Sequence, residues 1–247
     1  LWEPAEKGRK NRRIMDAVLK QAERFAREGA DILDVGGEST RPQAEPVAAE
    51  EELERVIPVI EVLARESPLP LSIDTYKAGV AKEALRAGAD IVNDIWGGKK
   101  EPEILAVTAE TGAPYIIMHN RAGTDYRDLL GEVVADLAGS VEKALQAGIE
   151  REKIIVDPGI GFGKTREQNL EVLRRMRELD ILRLPVLLGT SRKSLIGLTL
   201  ELPPQERLEG TAATVTIGIM NGADIIRVHD VKAMTRVARM TDAVWRV

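Results

Sequence analysis

The chain has 247 residues, 44% of them hydrophobic, and carries 35 basic against 40 acidic side chains for a net charge of −5. That length suits one large α/β domain with a sizeable core, and the near-balanced charge argues against nucleic acid or an anionic membrane surface as a partner. With no cysteine and only His119 and His229 as histidines, disulfides, thiolate chemistry and a histidine-rich metal centre are excluded.

In chain order, the spacing predicts a helix over about 9–29, with Ile14, Val18, Ala22 and Phe25 on one face, then a strand at 32–35. A helix over about 48–65 opens on three glutamates, which suit the positive end of its dipole, and Pro68 and Pro70 follow it. Strand 71–74 leads to helix 77–87, strand 91–93 to helix 101–111, and strand 115–118 to helix 127–147. Strand 154–157 leads to helix 167–178 and strand 186–188 to helix 193–200; a helix at 206–220, a strand at 225–228 and a helix at 231–244 complete the chain. Gly29, Gly88 and Gly222 fall where helix C-caps belong.

This alternation predicts a parallel sheet, and each apolar strand ends in polar residues. The ends read Asp34-Val-Gly-Gly-Glu38, Asp74-Thr75, Asn93-Asp94, His119-Asn120, Asp157-Pro158-Gly159, Ser191-Arg192-Lys193 and Arg227-Val228-His229-Asp230. A single functional rim at the C-terminal ends of parallel strands is where a (βα)8 TIM barrel keeps its chemistry. Seven strands are predicted and the chain opens on a helix. The expectation is therefore a (βα)8 barrel forming one domain over 1–247, with strand 1 and its loop missing from the N-terminus. A seven-stranded or open doubly wound sheet is the alternative. No apolar stretch approaches the ~18 residues of a membrane span, and the N-terminus is charged rather than signal-like, so a cytoplasmic enzyme is expected.

Asp157-Pro-Gly-Ile-Gly-Phe-Gly-Lys-Thr165 has the look of a phosphate loop but departs from both nucleotide patterns by one residue. A Walker loop needs glycine at Pro158, and a dinucleotide fingerprint starting at Gly159 needs glycine at Lys164. Asp74, Asn93 and Asp157 end three strands at equivalent positions and so converge in a barrel. Together they offer many acceptors and few donors, which suits a flat heterocycle rich in N–H groups. A divalent cation, or capping of the following helices, are the alternatives. Lys193, Arg227 and His229 follow the last two strands, where barrels of this kind bind phosphate. Arg192 reads as a solvated charge, Asp230 as a helix N-cap, and Glu38 as either a general base or a buried structural carboxylate.

Six segments in order, 34–42, 72–75, 93–95, 157–164, 191–194 and 227–230, resemble the signatures of dihydropteroate synthases, and the resemblance runs from about Gly29 onward. It implies condensation of p-aminobenzoate with 6-hydroxymethyl-7,8-dihydropterin pyrophosphate, giving 7,8-dihydropteroate and pyrophosphate in folate biosynthesis. It implies a pterin site of Asp74, Asn93, Asp157 and Lys193, and a pyrophosphate site of Arg41, Arg227 and His229. Thr40, Arg41, Pro42, Phe162 and Ser191 would border p-aminobenzoate, while Lys193, Arg227 and His229 would carry the chemistry. Mg²⁺, a homodimer and a role as sulfonamide target are implied too. Two departures stand out: nothing matches the Asn-Val-Thr-Pro-Asp-Ser-Phe-type segment whose Asn helps bind the metal, so no metal ligand is expected in this chain, and Gln43 replaces a glycine. A folate-dependent methyltransferase would share the acceptor pocket without needing the cationic clamp, and a non-catalytic pterin-binding module is the reading from another class.

Overall fold

A computed structural model of the chain describes residues 4–38 and 45–246. The elements are α1 (Pro4–Glu28), β1 (Leu33–Gly36), α2 (Ala49–Glu66), β2 (Leu71–Asp74), α3 (Ala78–Ala87), β3 (Ile91–Asp94), α4 (Glu103–Thr111) and β4 (Tyr115–Met118). There follow α5 (Leu129–Gln146), β5 (Ile154–Asp157), α6 (Arg166–Arg174), β6 (Leu187–Leu188), α7 (Ser194–Leu200), α8 (Leu208–Met220), β7 (Ile225–Ile226) and α9 (Val231–Trp245). The alternation is the predicted one. Gly88 ends α3 with φ +113° and its N–H bonded to the carbonyls of Ala84 and Leu85, a left-handed cap that glycine adopts without steric cost.

Three elements differ from expectation. The helix predicted to run to 178 stops at Arg174, and a 3₁₀ turn takes over at Met176–Leu182. Its apolar residues Met176, Leu179 and Leu182 are three apart and all face the core. A helix of three residues per turn buries that spacing on one line, whereas a 3.6-residue turn would rotate Leu182 away. β6 and β7 are shorter than predicted, although backbone bonds from Ile225 to Val186 and from Arg227 to Leu188 carry their pairing past the strand ends.

Every strand pair is parallel, and neighbours in space are neighbours in sequence. β1 to β5 form one sheet in that order and β6 pairs with β7. A parallel bridge between Val156 and Val186 joins the two. A doubly wound sheet would reverse its strand order at a switch point; consecutive order throughout is what a barrel requires. The curl carries the exit of β7 round to β1, where Arg227 Nε lies 2.6 Å from Asp34 Oδ2. The fold is a TIM barrel of (βα)8 type. Among the described residues it has seven strands, and β7 and β1 share no ladder.

Alternate residues of each strand serve two cores. Leu33, Leu71, Ile73, Val92, Tyr115, Ile117, Ile154, Val156 and Leu188 point outward and pack under the helices in the main cluster. Ile32, Ile91, Ile116, Ile155, Leu187 and Ile225 point inward and meet one another across the barrel as a separate apolar floor. This period of two follows from strand geometry. Among the described residues no helix is long and apolar enough to cross a membrane.

Candidate active site

The floor locates the site. Two residues beyond an inward side chain the chain points inward again, one layer nearer the C-terminal mouth. Stepping two from Ile32 gives Asp34, from Ser72 Asp74, from Ile91 Asn93, from Ile155 Asp157 and from Ile225 Arg227. The apolar floor is thus overlaid by a ring of polar side chains from five strands. Ser72, Asn93 and Asp157 are buried, and in the β2–β3 ladder Asp74 lies level with Asn93.

Arg227 ties this ring together. Its Nε donates to Asp34 at 2.6 Å and its Nη2 to Asp74 at 3.0 Å, which holds the guanidinium above its ordinary value, chiefly through Asp34. The other oxygen of Asp34, Oδ1, is buried and has no hydrogen-bond partner. Asp74 is pushed up to about 7, first by burial and then by Asp34, with Arg227 opposing. Burial also raises Asp157, against the pull of Lys193 and the Gly159 N–H, which donates to Asp157 Oδ1 at 2.7 Å. Lys193 is brought down to about 8 by burial, with Asp157 resisting. Its ammonium donates to the carbonyl of Ile160 and lies 4.9 Å from the centre of the Phe162 ring. Two cations and three carboxylates therefore share one mouth.

At the rim, Ser191 Oγ accepts from the backbone N–H of His229 at 3.1 Å and lies 3.0 Å from its Nδ1, so the exits of β6 and β7 are fastened to each other. Arg192 is not simply a solvated charge: it grips Asp230 through Nε and Nη2 at 2.8 and 2.5 Å. For the same reason Asp230, although it occupies the N-cap position of α9, makes no side-chain cap bond. Glu38, read from the sequence as either a base or a structural carboxylate, is held in an ion pair. Its carboxylate and that of Glu52 both accept from the buried ammonium of Lys77. Burial works against that ammonium, but the two carboxylates outweigh it and push Lys77 up to about 12.

Asp74, Asn93, Asp157, Lys193, Arg227, His229, Ser191 and Phe162 all lie at the strand exits or on the loops leaving them. Thr40, Arg41, Pro42 and Gln43 lie outside the described residues. Read from the sequence, Asp34 is only one of several strand ends, and Lys77 is not singled out. Inward periodicity from Ile32 is the signal that finds Asp34; Lys77 carries no comparable signal. Conversely, Asp94 and His119 also sit at strand ends but face outward. Asp94 is fully buried and accepts from Tyr115 Oη and from the backbone N–H groups of Trp96 and Gly98. Among the described residues no three His, Asp or Glu side chains converge on a point where a metal ion would sit.

Comparison with known proteins points the same way. The model of the family described as pterin binding enzyme matches residues 5–229. A dihydropteroate synthase of Bacillus subtilis strain 168 is 52% identical over 229 residues, spanning 93% of this chain and 80% of the relative. The structure of a Clostridium difficile dihydropteroate synthase in the presence of pteroic acid superposes with a TM-score of 0.93 at 50% identity, covering 94% of this chain and 89% of that one. That of a Xanthomonas albilineans dihydropteroate synthase with 4-aminobenzoic acid gives 0.90 at 41% identity, covering 94% and 86%. The chain belongs to the pterin binding enzyme family and, within it, to the dihydropteroate synthases.

Proposed function

We propose that this chain condenses p-aminobenzoate with 6-hydroxymethyl-7,8-dihydropterin pyrophosphate, releasing 7,8-dihydropteroate and pyrophosphate. The observation that carries this reading is the pairing, in one barrel mouth, of buried acceptors with fixed cations. Asp74, Asn93 and Asp157 present acceptors to the N–H-rich edge of the pterin, and Lys193 stands beside them. Arg227 and His229, with Arg41, take the pyrophosphate. Ser191, Phe162, Thr40, Arg41 and Pro42 border p-aminobenzoate.

In this reading the methylene C–O bond breaks ahead of attack, and its electron pair leaves on the pyrophosphate. Lys193, Arg227 and His229 carry the catalysis by meeting the negative charge that grows there. The pterin spreads the positive charge left on the methylene, and Asp157 and Asp74 stabilise it electrostatically. The arylamine nitrogen then forms the new C–N bond and loses its proton to solvent. An arylamine is free to attack at neutral pH, so no general base is required, and positioning of two bound substrates supplies much of the rate.

Mg²⁺ is the cofactor that family resemblance implies. The described donor set does not fit it, because among the described residues no three carboxylate or imidazole side chains converge where an ion would sit, and no step is assigned to the ion. The same reading makes 1–247 one pterin-binding domain, cytoplasmic and homodimeric. The dimer is supported by apolar side chains exposed on α8 and α9, among them Ile217, Met240, Val244 and Trp245. The test of the reaction is release of pyrophosphate. Release only when both substrates are present is the expected result; tight pterin binding with no release would contradict it.

A further inference from the structure

The loop 158–164 is held between two lysines, and the proposed chemistry uses only one of them. Lys193 reaches its front face at the carbonyl of Ile160 and sets its charge against the Phe162 ring. Lys164 lies behind the loop with 9% of its surface exposed. Its three N–H bonds find three acceptors: the carbonyl of Gly159 at 3.1 Å, the carbonyl of Phe162 at 3.1 Å and His119 Nδ1 at 2.8 Å.

The state of His119 makes that third bond one-directional. His119 is 1% exposed, and burial, then Lys164, brings it down to about 3. It is therefore neutral and carries one proton. Its Nε2 lies 3.9 Å from the carboxylate of Asp136, and in the tautomer with the proton on Nε2 the Nδ1 accepts from the ammonium. Burial also lowers Lys164, to about 7, with Asp157 resisting. A buried ammonium is tolerated when all its donors are satisfied, and here each bond goes to backbone or to a fixed ring.

The loop is also pressed hard against the exit of β4. Gly159 has φ +68°, and a Cβ there would lie 1.9 Å from the carbonyl oxygen of His119. Tyr126 Oη donates to the carbonyl of Gly163 at 2.8 Å. So the backbone of Phe162 is fixed from behind while its ring faces the site.

We propose that Lys164 is a positioning residue for the arylamine half of the reaction, tying the loop that carries Phe162 to the exit of β4 and so setting the wall against which p-aminobenzoate lies. This rests on the reading above that Phe162 borders that substrate. Steady-state kinetics of Lys164→Met and Phe162→Ala, with pterin affinity measured by calorimetry, tests the two separately. Lys164→Met is expected to raise KM for p-aminobenzoate roughly tenfold, with kcat and pterin affinity within about twofold, the pattern of lost ground-state binding. An unchanged KM overturns the proposal. So does a joint loss of kcat, KM and pterin affinity, which would mark general packing. If Lys164→Met does not fold, His119→Asn, which cuts only the tie to β4, is held to the same criteria. If Phe162→Ala leaves KM unchanged while Lys164→Met raises it, the placement of Phe162 fails, and with it the wall through which Lys164 is proposed to act. A KM raised by Phe162→Ala alone refutes Lys164, and a KM unmoved by either variant refutes both.

Discussion

Asp74 sits closest to the balance point of the site, between Asp34, which disfavours its charge, and Arg227, which favours it. In the unfolded chain an aspartate ionises near 3.9, whereas in the fold Asp74 does so at about 7. Between those values the folded chain holds a proton that the unfolded chain has released. The contribution of this residue to stability therefore falls as pH rises from about 4 to about 7 and is level above that. Asp74→Asn abolishes the titration. Urea unfolding near both ends of this window should show the variant gaining on the wild type with rising pH, by on the order of 1 kcal/mol per unit. Parallel pH profiles for the two proteins would contradict it. The residue scale is also where the sequence was most and least legible. Polar strand ends are visible as text, so Asp74, Asn93, Asp157 and Arg227 could be picked out. Which of two adjacent polar residues faces inward depends on where the strand starts, and that is why Asn93 and Asp94 have opposite roles yet look alike in sequence.

Among the elements, the connection from β1 to α2 depends on a tertiary contact. Lys77, just before α3, holds Glu38 at the exit of β1 and Glu52 on α2. One oxygen of Glu52 is nevertheless buried without a partner. Lys77→Met would leave two carboxylates facing each other with no cation, and breaking a buried pair from one side costs about 3–5 kcal/mol. Urea unfolding at neutral pH measures it; a loss below about 1 kcal/mol, the scale of exposed pairs, would mean that the cluster is solvated. The elements themselves were legible wherever periodicity was long, as in α2, α5 and α9. Legibility failed where it was short. The three-residue spacing of Met176, Leu179 and Leu182 looks like the end of an ordinary helix until burial shows a tighter turn. The contact of Lys77 with two glutamates lies 39 and 25 residues away in the chain, and no local pattern records it.

For the whole molecule, consecutive parallel strands and inward layers convert scattered motifs into one mouth, and that much followed from the βα alternation. Assembly is a separate matter. Met240 and Val244 on α9 are about two-thirds exposed, and apolar side chains grouped in this way mark an interaction face. If that face forms the homodimer, Met240→Glu with Val244→Asp should shift sedimentation equilibrium from dimer to monomer without changing the far-ultraviolet circular dichroism. A dimer that survives both charges would place the interface elsewhere.

In the proposed site, side chains from separate strands meet around a single flat ring. Calorimetric titration of the pterin alone into wild type and Asp157→Ala tests it most directly. Loss of a hydrogen bond to a charged group predicts weakening by roughly 1.5–3 kcal/mol, about ten- to a hundredfold in Kd. A dissociation constant that does not change would remove Asp157 from the pocket and contradict the account.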